Sequence, residues 1–145
     1  MYDRILVPVE NSPYDAAILG HVRQLAKMCH ASVVLIHVAD GFAARNVSSL
    51  QLRESEEMRH DLEYLERICE ELRRDGLDAD CVLAGGDPAR EIVDAAQREA
   101  CDLIAMSTHG HRFMKDLIHG SVANEVRHST EVPVLLVRGK QESRA

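Results

Sequence analysis

Aromatic residues are scarce in this sequence. Phe, Tyr and Trp make up only 3% of the 145 residues and tryptophan is absent, whereas hydrophobic residues make up 46%. Without large rings, the core must be filled by Val, Leu, Ile and Ala, as in α/β domains. A chain of this length can bury most of the surface that its unfolded state exposes, and it has the usual size of one domain. The sequence therefore predicts one α/β domain over residues 1–140 and a flexible tail over 141–145.

Positive charge is also in short supply. The chain has 17 Lys and Arg against 24 Asp and Glu, which gives a formal net charge of −7. Nucleic acids and anionic membranes are bound by basic surfaces, so this composition argues against both kinds of partner. A small anionic ligand stays possible, because a local site can bind one within an acidic protein.

Long hydrophobic runs and paired cysteine motifs are missing too. No stretch approaches the roughly 18 apolar residues of a membrane span. The apolar run at the N-terminus is short and predicts a strand rather than a secretory signal. Cys29, Cys69, Cys81 and Cys101 are scattered without a CxxC spacing, which excludes zinc-ribbon and thioredoxin-like sites. We expect reduced cysteines in or near the core of a cytoplasmic protein.

Five short apolar runs alternate with amphipathic segments. The runs predict strands at residues 4–9, 32–38, 78–84, 102–106 and 132–138. The intervening segments predict helices that begin at a Ser12–Pro13 cap, near residue 49, at an Asp87–Pro88 cap and near Ser121. Gly76 is predicted to end the second helix. Strands that are separated by helices form a parallel sheet with right-handed crossovers.

The loop after the fourth predicted strand is the best candidate for a ligand site. In an open α/β sheet, ligands bind beyond the carboxyl ends of the strands. Residues 107–119 form the longest segment there and lead to Gly120–Ser121 at the predicted helix start. Free backbone N–H groups, the positive helix end and a hydroxyl would suit a phosphate. A capped helix after a plain surface loop is the alternative, and neither a P-loop nor a GxGxxG sequence is present.

Three histidines in this loop invite a metal hypothesis. His109 and His111 have chelating spacing and His119 follows in the same loop, but no Cys or carboxylate lies at zinc-like spacing nearby. A dedicated metal site is therefore not predicted. His37 ends a buried strand and is expected to be a packed, hydrogen-bonded residue.

The loop resembles a motif of the universal stress protein family. Nucleotide-binding members carry G-x2-G-x9-G-[ST] after the fourth strand. Here Ser107, Gly110, Gly120 and Ser121 stand at the fixed positions, so Ser replaces the first Gly. The stretches "ILVPVENS", "GDPAREI" and "VPVLLVR" resemble the family's opening strand and loop, its third-helix start and its closing strand. The resemblance covers nearly the whole chain. It implies a three-layer open sandwich of the adenine-nucleotide alpha hydrolase type, with a five-stranded parallel sheet of order 3-2-1-4-5 and helices on both faces.

The resemblance also implies a site for an adenine nucleotide. The ligand would be ATP, with AMP or cyclic AMP as alternatives, and Mg²⁺ or Mn²⁺ would accompany the phosphates. The residues that would surround the base and ribose are Pro8, Val9, Glu10, Val38, Met106 and Ser107. The residues that would approach the ribose and phosphates are His109, Gly110, His111, Arg112, Gly120, Ser121 and Val122.

The resemblance also implies a homodimer, because family members dimerise through the last strand, here Val132 to Arg138. Pairing of this strand would also cover an apolar edge of the sheet.

The sequence leaves three hypotheses about function. The first is a cytoplasmic, nucleotide-dependent stress-response or signalling module with an unidentified protein partner. The second is an interaction protein of the same fold with weak or no nucleotide binding, favoured by Ser107 and by Glu10, where the family usually has Asp. The third is a slow ATPase. Catalysis is not expected to be the main role, because no Ser elbow, paired-carboxylate or Cys–His motif is evident.

Overall fold

Over the residues that the structure describes, nine secondary-structure elements alternate strictly between strand and helix. A computed structural model describes the backbone of residues 1–40, 48–108 and 114–139, and the side chains of residues 1–39, 56–108 and 122–139. The elements are β1 (Arg4–Pro8), α1 (Asp15–Cys29), β2 (Ser32–Asp40), α2 (Ser48–Arg74), β3 (Ala79–Gly86), α3 (Pro88–Arg98), β4 (Leu103–Thr108), α4 (Met114–Ser129) and β5 (Val134–Arg138).

All neighbouring strands run parallel, in the order β3-β2-β1-β4-β5. The predicted sheet order is thus confirmed. The central strand β1 has fully buried Ile5, Leu6 and Val7, which explains why it reads as a continuous apolar run. Strands β2 and β3 extend two residues beyond the prediction because Ala39 and Asp40 stay in register with Gly85 and Gly86.

The core consists of two aliphatic layers, one on each face of the sheet. On one face, Ile5, Val7 and Leu35 pack with apolar residues of α1 and α2. On the other face, Leu6 and Ile104 pack with apolar residues of α3 and α4. The expected aliphatic core is confirmed. Within the described part of the chain, no helix is both long and apolar enough to cross a membrane.

The four cysteines are free thiols, as the sequence predicted. Cys69 and Cys101 are buried, and Cys29 and Cys81 are half-buried. Burial raises the pKa of Cys69 to about 11 and that of Cys101 to about 11. These thiols are therefore protonated at neutral pH and behave as small apolar core residues.

Two predicted helix starts are wrong. Helix α1 begins at Asp15 rather than after Ser12, because residues 12–14 form a turn in which the Ser12 carbonyl accepts from the Asp15 N–H (3.1 Å). Helix α4 begins at Met114 rather than near Ser121. The sequence "MKDLI" contains good helix formers, so helix can extend through it, and Gly120 is tolerated inside a helix at a cost of roughly 1 kcal/mol.

A buried carboxylate shapes the turn between β1 and α1. The Asp15 side chain is only 2% exposed. Its Oδ2 accepts hydrogen bonds from the backbone N–H groups of Asn11 (2.8 Å) and Ser12 (3.2 Å), and its Oδ1 accepts from that of Glu10 (3.1 Å). The Tyr64 hydroxyl of α2 donates to the same Oδ2 at 2.6 Å. The carboxylate therefore ties the turn to the helix that covers it.

A second carboxylate fixes the opposite end of the sheet. Asp102 accepts from the backbone N–H groups of Asp3 (Oδ2, 2.9 Å) and Arg4 (Oδ1, 3.0 Å). Burial acts to raise the pKa of Asp102, but these N–H donors outweigh it and hold the pKa below its ordinary value. The ionised carboxylate thus joins the start of β4 to the start of β1.

Substitution of Asp15 should destabilise the fold. In Asp15→Ala, the N–H groups of residues 10–12 and the Tyr64 hydroxyl lose a charged acceptor, so we expect the free energy of unfolding to fall by about 2–4 kcal/mol. Tyr64→Phe removes one donor only and should cost about 1–2 kcal/mol. Urea denaturation measures both, with Asp94→Ala on the exposed face of α3 as the control. Equal effects of Asp15→Ala and Asp94→Ala would contradict the role given to Asp15.

Asp102 should contribute to the acid sensitivity of the protein. Because its pKa is lowered in the folded state, its contribution is fully present above the ordinary carboxyl pKa and is lost as the pH falls through the folded-state value. We expect Asp102→Asn to be less stable than the wild type at neutral pH, with the difference shrinking in acid. Denaturation at a series of pH values measures this, with exposed Asp78→Asn as the control. A difference that is constant with pH would refute it.

Candidate functional site

A cavity of about 190 Å³ opens at the carboxyl ends of β1, β2 and β4. The sheet order reverses between β1 and β4, which is where open α/β sheets bind ligands. Elements from both sides of the sheet contribute to the wall. The lining residues are Pro8, Val9, Glu10, Asp15, Ile36, His37, Val38, Pro88, Ile92, Met106, Ser107 and Val122.

The wall on the α3 side is apolar. Ile36 and Val38 of β2 and Met106 of β4 meet Ile92 of α3, and Ile36, Ile92 and Met106 are buried. Pro88 occupies the first turn of α3 after the predicted Asp87 cap, whose Oδ2 accepts from the Arg90 N–H (3.1 Å). Such an aliphatic and thioether surface suits a flat apolar ring rather than a charged group.

The rim on the α1 side is polar and acidic. Glu10 lies at the edge of the cavity, and the Ser12 hydroxyl donates to its Oε2 at 2.8 Å. Asn11 adopts a left-handed conformation (φ 62°), which turns the chain between these two residues. The contacts of Asp15 with this turn hold Glu10 at the rim. Carboxylate oxygens in this position can accept hydrogen bonds from the hydroxyl groups of a ligand.

Ser107 lines the cavity, but its hydroxyl lies towards helix α1. Its Oγ donates to the Tyr14 carbonyl at 3.4 Å. The neighbouring Met106 belongs to the cluster on the opposite face of the sheet, as the alternation along β4 requires. The Ser that replaces the family glycine therefore adds its hydroxyl beside α1 and leaves the Met106 side of the cavity unchanged.

His37 is hydrogen-bonded and packed, as the sequence predicted. Its Nδ1 lies 2.9 Å from the Val9 carbonyl oxygen, and its Nε2 lies 3.2 Å from Oδ2 of Asp61. The side chain is only 13% exposed, yet it contributes to the cavity wall. The sequence did not indicate this second role.

Seven of the predicted site residues come together around the cavity: Pro8, Val9, Glu10, Val38, Met106, Ser107 and Val122. His109, Gly110, His111 and Arg112 lie outside the described residues. Gly120 and Ser121 lie within the α4 backbone, and the Ser121 side chain is likewise outside the described residues. The roles assigned to these residues stay predictions.

The early start of α4 removes one argument for a phosphate site. A helix leaves only its first four N–H groups without an intrahelical partner. Gly120 and Ser121 stand six and seven residues after the start at Met114, so their N–H groups take part in the helix. The prediction that these residues begin the helix is wrong because the preceding segment is itself helical.

Five lining residues escaped the sequence prediction. Pro88 and Ile92 belong to the "GDPAREI" stretch, where helical spacing could have identified them as facing the sheet ends. Ile36 is a core position by its alternation along β2. Asp15 and His37 are recognisable only from contacts with residues distant in sequence, such as Tyr64 and Asp61.

Comparison with known proteins places this geometry in a family. A family model described as "Universal stress protein family" matches residues 1–138. The universal stress protein MJ0577 of Methanocaldococcus jannaschii is 31% identical, over 97% of this chain and 97% of its own. A solved structure of MJ0577 superposes with a TM-score of 0.83 at 29% identity, covering 98% of this chain and 99% of that one.

Two more distant structures have the same fold and carry ligands. A universal stress protein from Archaeoglobus fulgidus in complex with dAMP superposes with a TM-score of 0.66 at 21% identity, covering 93% of this chain and 97% of that one. Another universal stress protein, in complex with cAMP, superposes with a TM-score of 0.70 at 17% identity, covering 94% and 97%. The match over residues 1–138 and the shared sheet order establish that this chain belongs to the universal stress protein family.

Proposed function

We propose that this universal stress protein binds an adenine nucleotide, ATP, in the cavity at the carboxyl ends of β1, β2 and β4, and acts as a nucleotide-dependent stress-response module. The observation that carries the proposal is the convergence of Pro8, Val9, Glu10, Val38 and Met106 on one cavity at the reversal of the sheet. The dAMP and cAMP complexes of two family members support an adenine ligand.

The size and chemistry of the cavity suggest how the nucleotide would lie. Small-molecule sites usually enclose roughly 300–1,000 Å³, whereas this cavity encloses about 190 Å³. It therefore suits the base alone, stacked among Ile36, Val38 and Met106. The ribose would lie at the rim, where Glu10 can accept from its hydroxyl groups. The phosphates would extend out of the cavity.

A phosphate contact at Gly120 and Ser121 requires a change in helix α4. Binding through the N–H groups of Gly120, Ser121 and Val122 requires these groups to be free, and in α4 they lie beyond the first turn. The bound form would need the helix to begin near Gly120. Mg²⁺ or Mn²⁺ would be held mainly by phosphate oxygens and water.

Binding rather than turnover is proposed because Glu10 and His37, two possible bases among the described lining residues, already have hydrogen-bond partners. Glu10 accepts from the Ser12 hydroxyl, and His37 lies between Val9 and Asp61. A general base must reach the proton that it removes. Phosphate release measured beside binding would detect the slow ATPase alternative.

We also propose a homodimer paired through β5. This strand is at one edge of the sheet, and its Leu136 is 39% exposed. An apolar edge strand is a template for pairing with another chain.

A second candidate is an interaction protein of this fold that does not bind nucleotide tightly. The position of Gly120 and Ser121 inside α4 and the presence of Glu10 favour it. Calorimetric titration with ATP, with and without Mg²⁺, separates the two after carried nucleotide has been removed. Saturable binding at one site per chain supports the first, and AMP and cyclic AMP then define the preference. An absence of heat and of thermal shift supports the second.

Blocking the apolar wall should abolish nucleotide binding. In Val38→Phe, the larger side chain would fill the space predicted for the base, so we expect affinity for ATP to fall by at least about 100-fold, or 2.7 kcal/mol. Val82→Phe is the matched control, because Val82 is half-buried against the same core layer but does not line the cavity. Calorimetry measures both variants. Equal losses would mean that the cavity is not the binding site.

A further inference from the structure

We propose that His37 is a positioning residue for this cavity, and that its protonated ring holds the β1–α1 turn against helix α2 so that ligand affinity depends on the charge of His37. The ligand part of this inference rests on the proposed nucleotide binding. The clamp itself can be tested without any ligand.

The ring of His37 bridges two elements that frame the cavity. Nδ1 lies 2.9 Å from the carbonyl oxygen of Val9, the residue after β1, and Nε2 lies 3.2 Å from Oδ2 of Asp61 on α2. Both side chains of the pair are largely buried, with 13% of His37 and 21% of Asp61 exposed. The contact is thus screened less by water than a surface ion pair.

The two partners determine where the protons must be. A carbonyl oxygen only accepts, so Nδ1 must carry a hydrogen. An ionised carboxylate also only accepts, so a second proton must lie between Nε2 and Oδ2 of Asp61. With a proton on each ring nitrogen, this geometry fits an imidazolium–carboxylate pair joined by a charge-assisted hydrogen bond.

Asp61 closes a ring of contacts around the turn. Its Oδ1 accepts from Nδ2 of Asn11 at 3.4 Å, while His37 holds Val9 two residues earlier. Three residues along α2, on the same side of the helix, Tyr64 donates to Asp15. Helix α2 therefore contacts the β1–α1 turn through both Asp61 and Tyr64. Glu10 lies between Val9 and Asn11, so these contacts also fix its position.

Among the described residues, the carboxylates near His37 favour its protonated form. Asp61 faces it from α2, and Glu10 and Asp15 line the same cavity from the turn and from α1. Histidine is the side chain that changes charge near neutral pH. When the ring loses its second proton, the Nε2 lone pair faces a carboxylate, and the contact between β2 and α2 becomes repulsive. The turn that carries Glu10 would then loosen.

Three variants of α2 distinguish the effect of the charge on the His37–Asp61 contact from the effect of the hydrogen-bonded bridge itself. In Asp61→Asn, the new amide group can donate to Nε2 of a neutral ring, so the bridge survives without the charge. In Asp61→Ala, the bridge is removed. Glu63→Asn changes an exposed carboxylate two residues along the same helix and is the matched control.

ATP affinity is measured by calorimetry for each protein at a series of pH values from about 6 to about 9. We expect the wild type and Glu63→Asn to lose affinity by about tenfold as the pH rises, since a charge-assisted hydrogen bond is lost. Asp61→Asn should show no such loss, and Asp61→Ala should bind weakly throughout. Titration of ATP itself affects all four proteins alike. Parallel pH profiles for the wild type and Asp61→Asn would overturn the proposal.

Nitrogen-15 NMR of the ligand-free protein tests the clamp independently. We expect both ring nitrogens of His37 to be protonated at the acid end of the same pH series. Amide exchange of residues 10–12, divided by the intrinsic exchange rate at each pH, should become faster once the ring is neutral. A neutral ring with its hydrogen on Nε2 would refute the clamp whatever the binding data show. If no protein binds ATP while the NMR result is as expected, the proposed nucleotide function fails and the clamp stands.

Discussion

The buried carboxylate of Asp15 determines how the chain leaves the central strand. A charge that is removed from water must be met by donors, and here the donors are the backbone N–H groups of residues 10–12 and the hydroxyl of Tyr64. Burial and this hydrogen bond together raise the pKa of Tyr64, so the hydroxyl keeps its proton and remains a donor. The start of α1, the placement of Glu10 and the position of α2 all follow from the same group.

The two faces of the sheet contribute differently to the site. On the α3 side, aliphatic side chains and Met106 form a wall that needs no hydrogen-bond partner. On the α1 side, Asp15 and His37 anchor a turn whose polar groups are satisfied by residues from three other elements. A ligand with an apolar ring and a hydroxylated ring would match both faces at once, which is the chemistry of a nucleoside. The proposed ligand would thus suit both faces of the site.

The sequence was sufficient for features that depend on local chemistry or on burial. Apolar runs predicted the strands, because a buried strand has to be apolar on both faces. The helices between them predicted a parallel sheet, and the family resemblance supplied the order 3-2-1-4-5. Asp87 caps α3, and Gly76, with a positive φ of 92°, follows the end of α2.

The predicted start of α1 was wrong because Ser12 and Pro13 are typical of a helix cap. In the structure, the Asp15 carboxylate accepts hydrogen bonds from the backbone N–H groups of the turn, and the helix begins at Asp15. The start of α4 was misplaced because Gly120–Ser121 was given more weight than the helix formers before it. The bridge from His37 to Asp61 joins residues 24 positions apart, and no spacing rule relates them.

Gly139 follows β5 and lies beside Ser107, which lines the cavity, and Tyr14. Its N–H donates to the Thr108 carbonyl, and a Cβ at this position would come within 2.6 Å of the Ser107 Oγ and 3.1 Å of the Tyr14 side chain. The side chain of any other residue at this position would clash with Ser107, which lies near the end of β4 and lines the cavity. Reporter labels and affinity tags are often joined to a chain near its last strand. For this protein, the junction should leave residue 139 as glycine, because a fusion made directly after Arg138 would alter the site that the label was meant to observe.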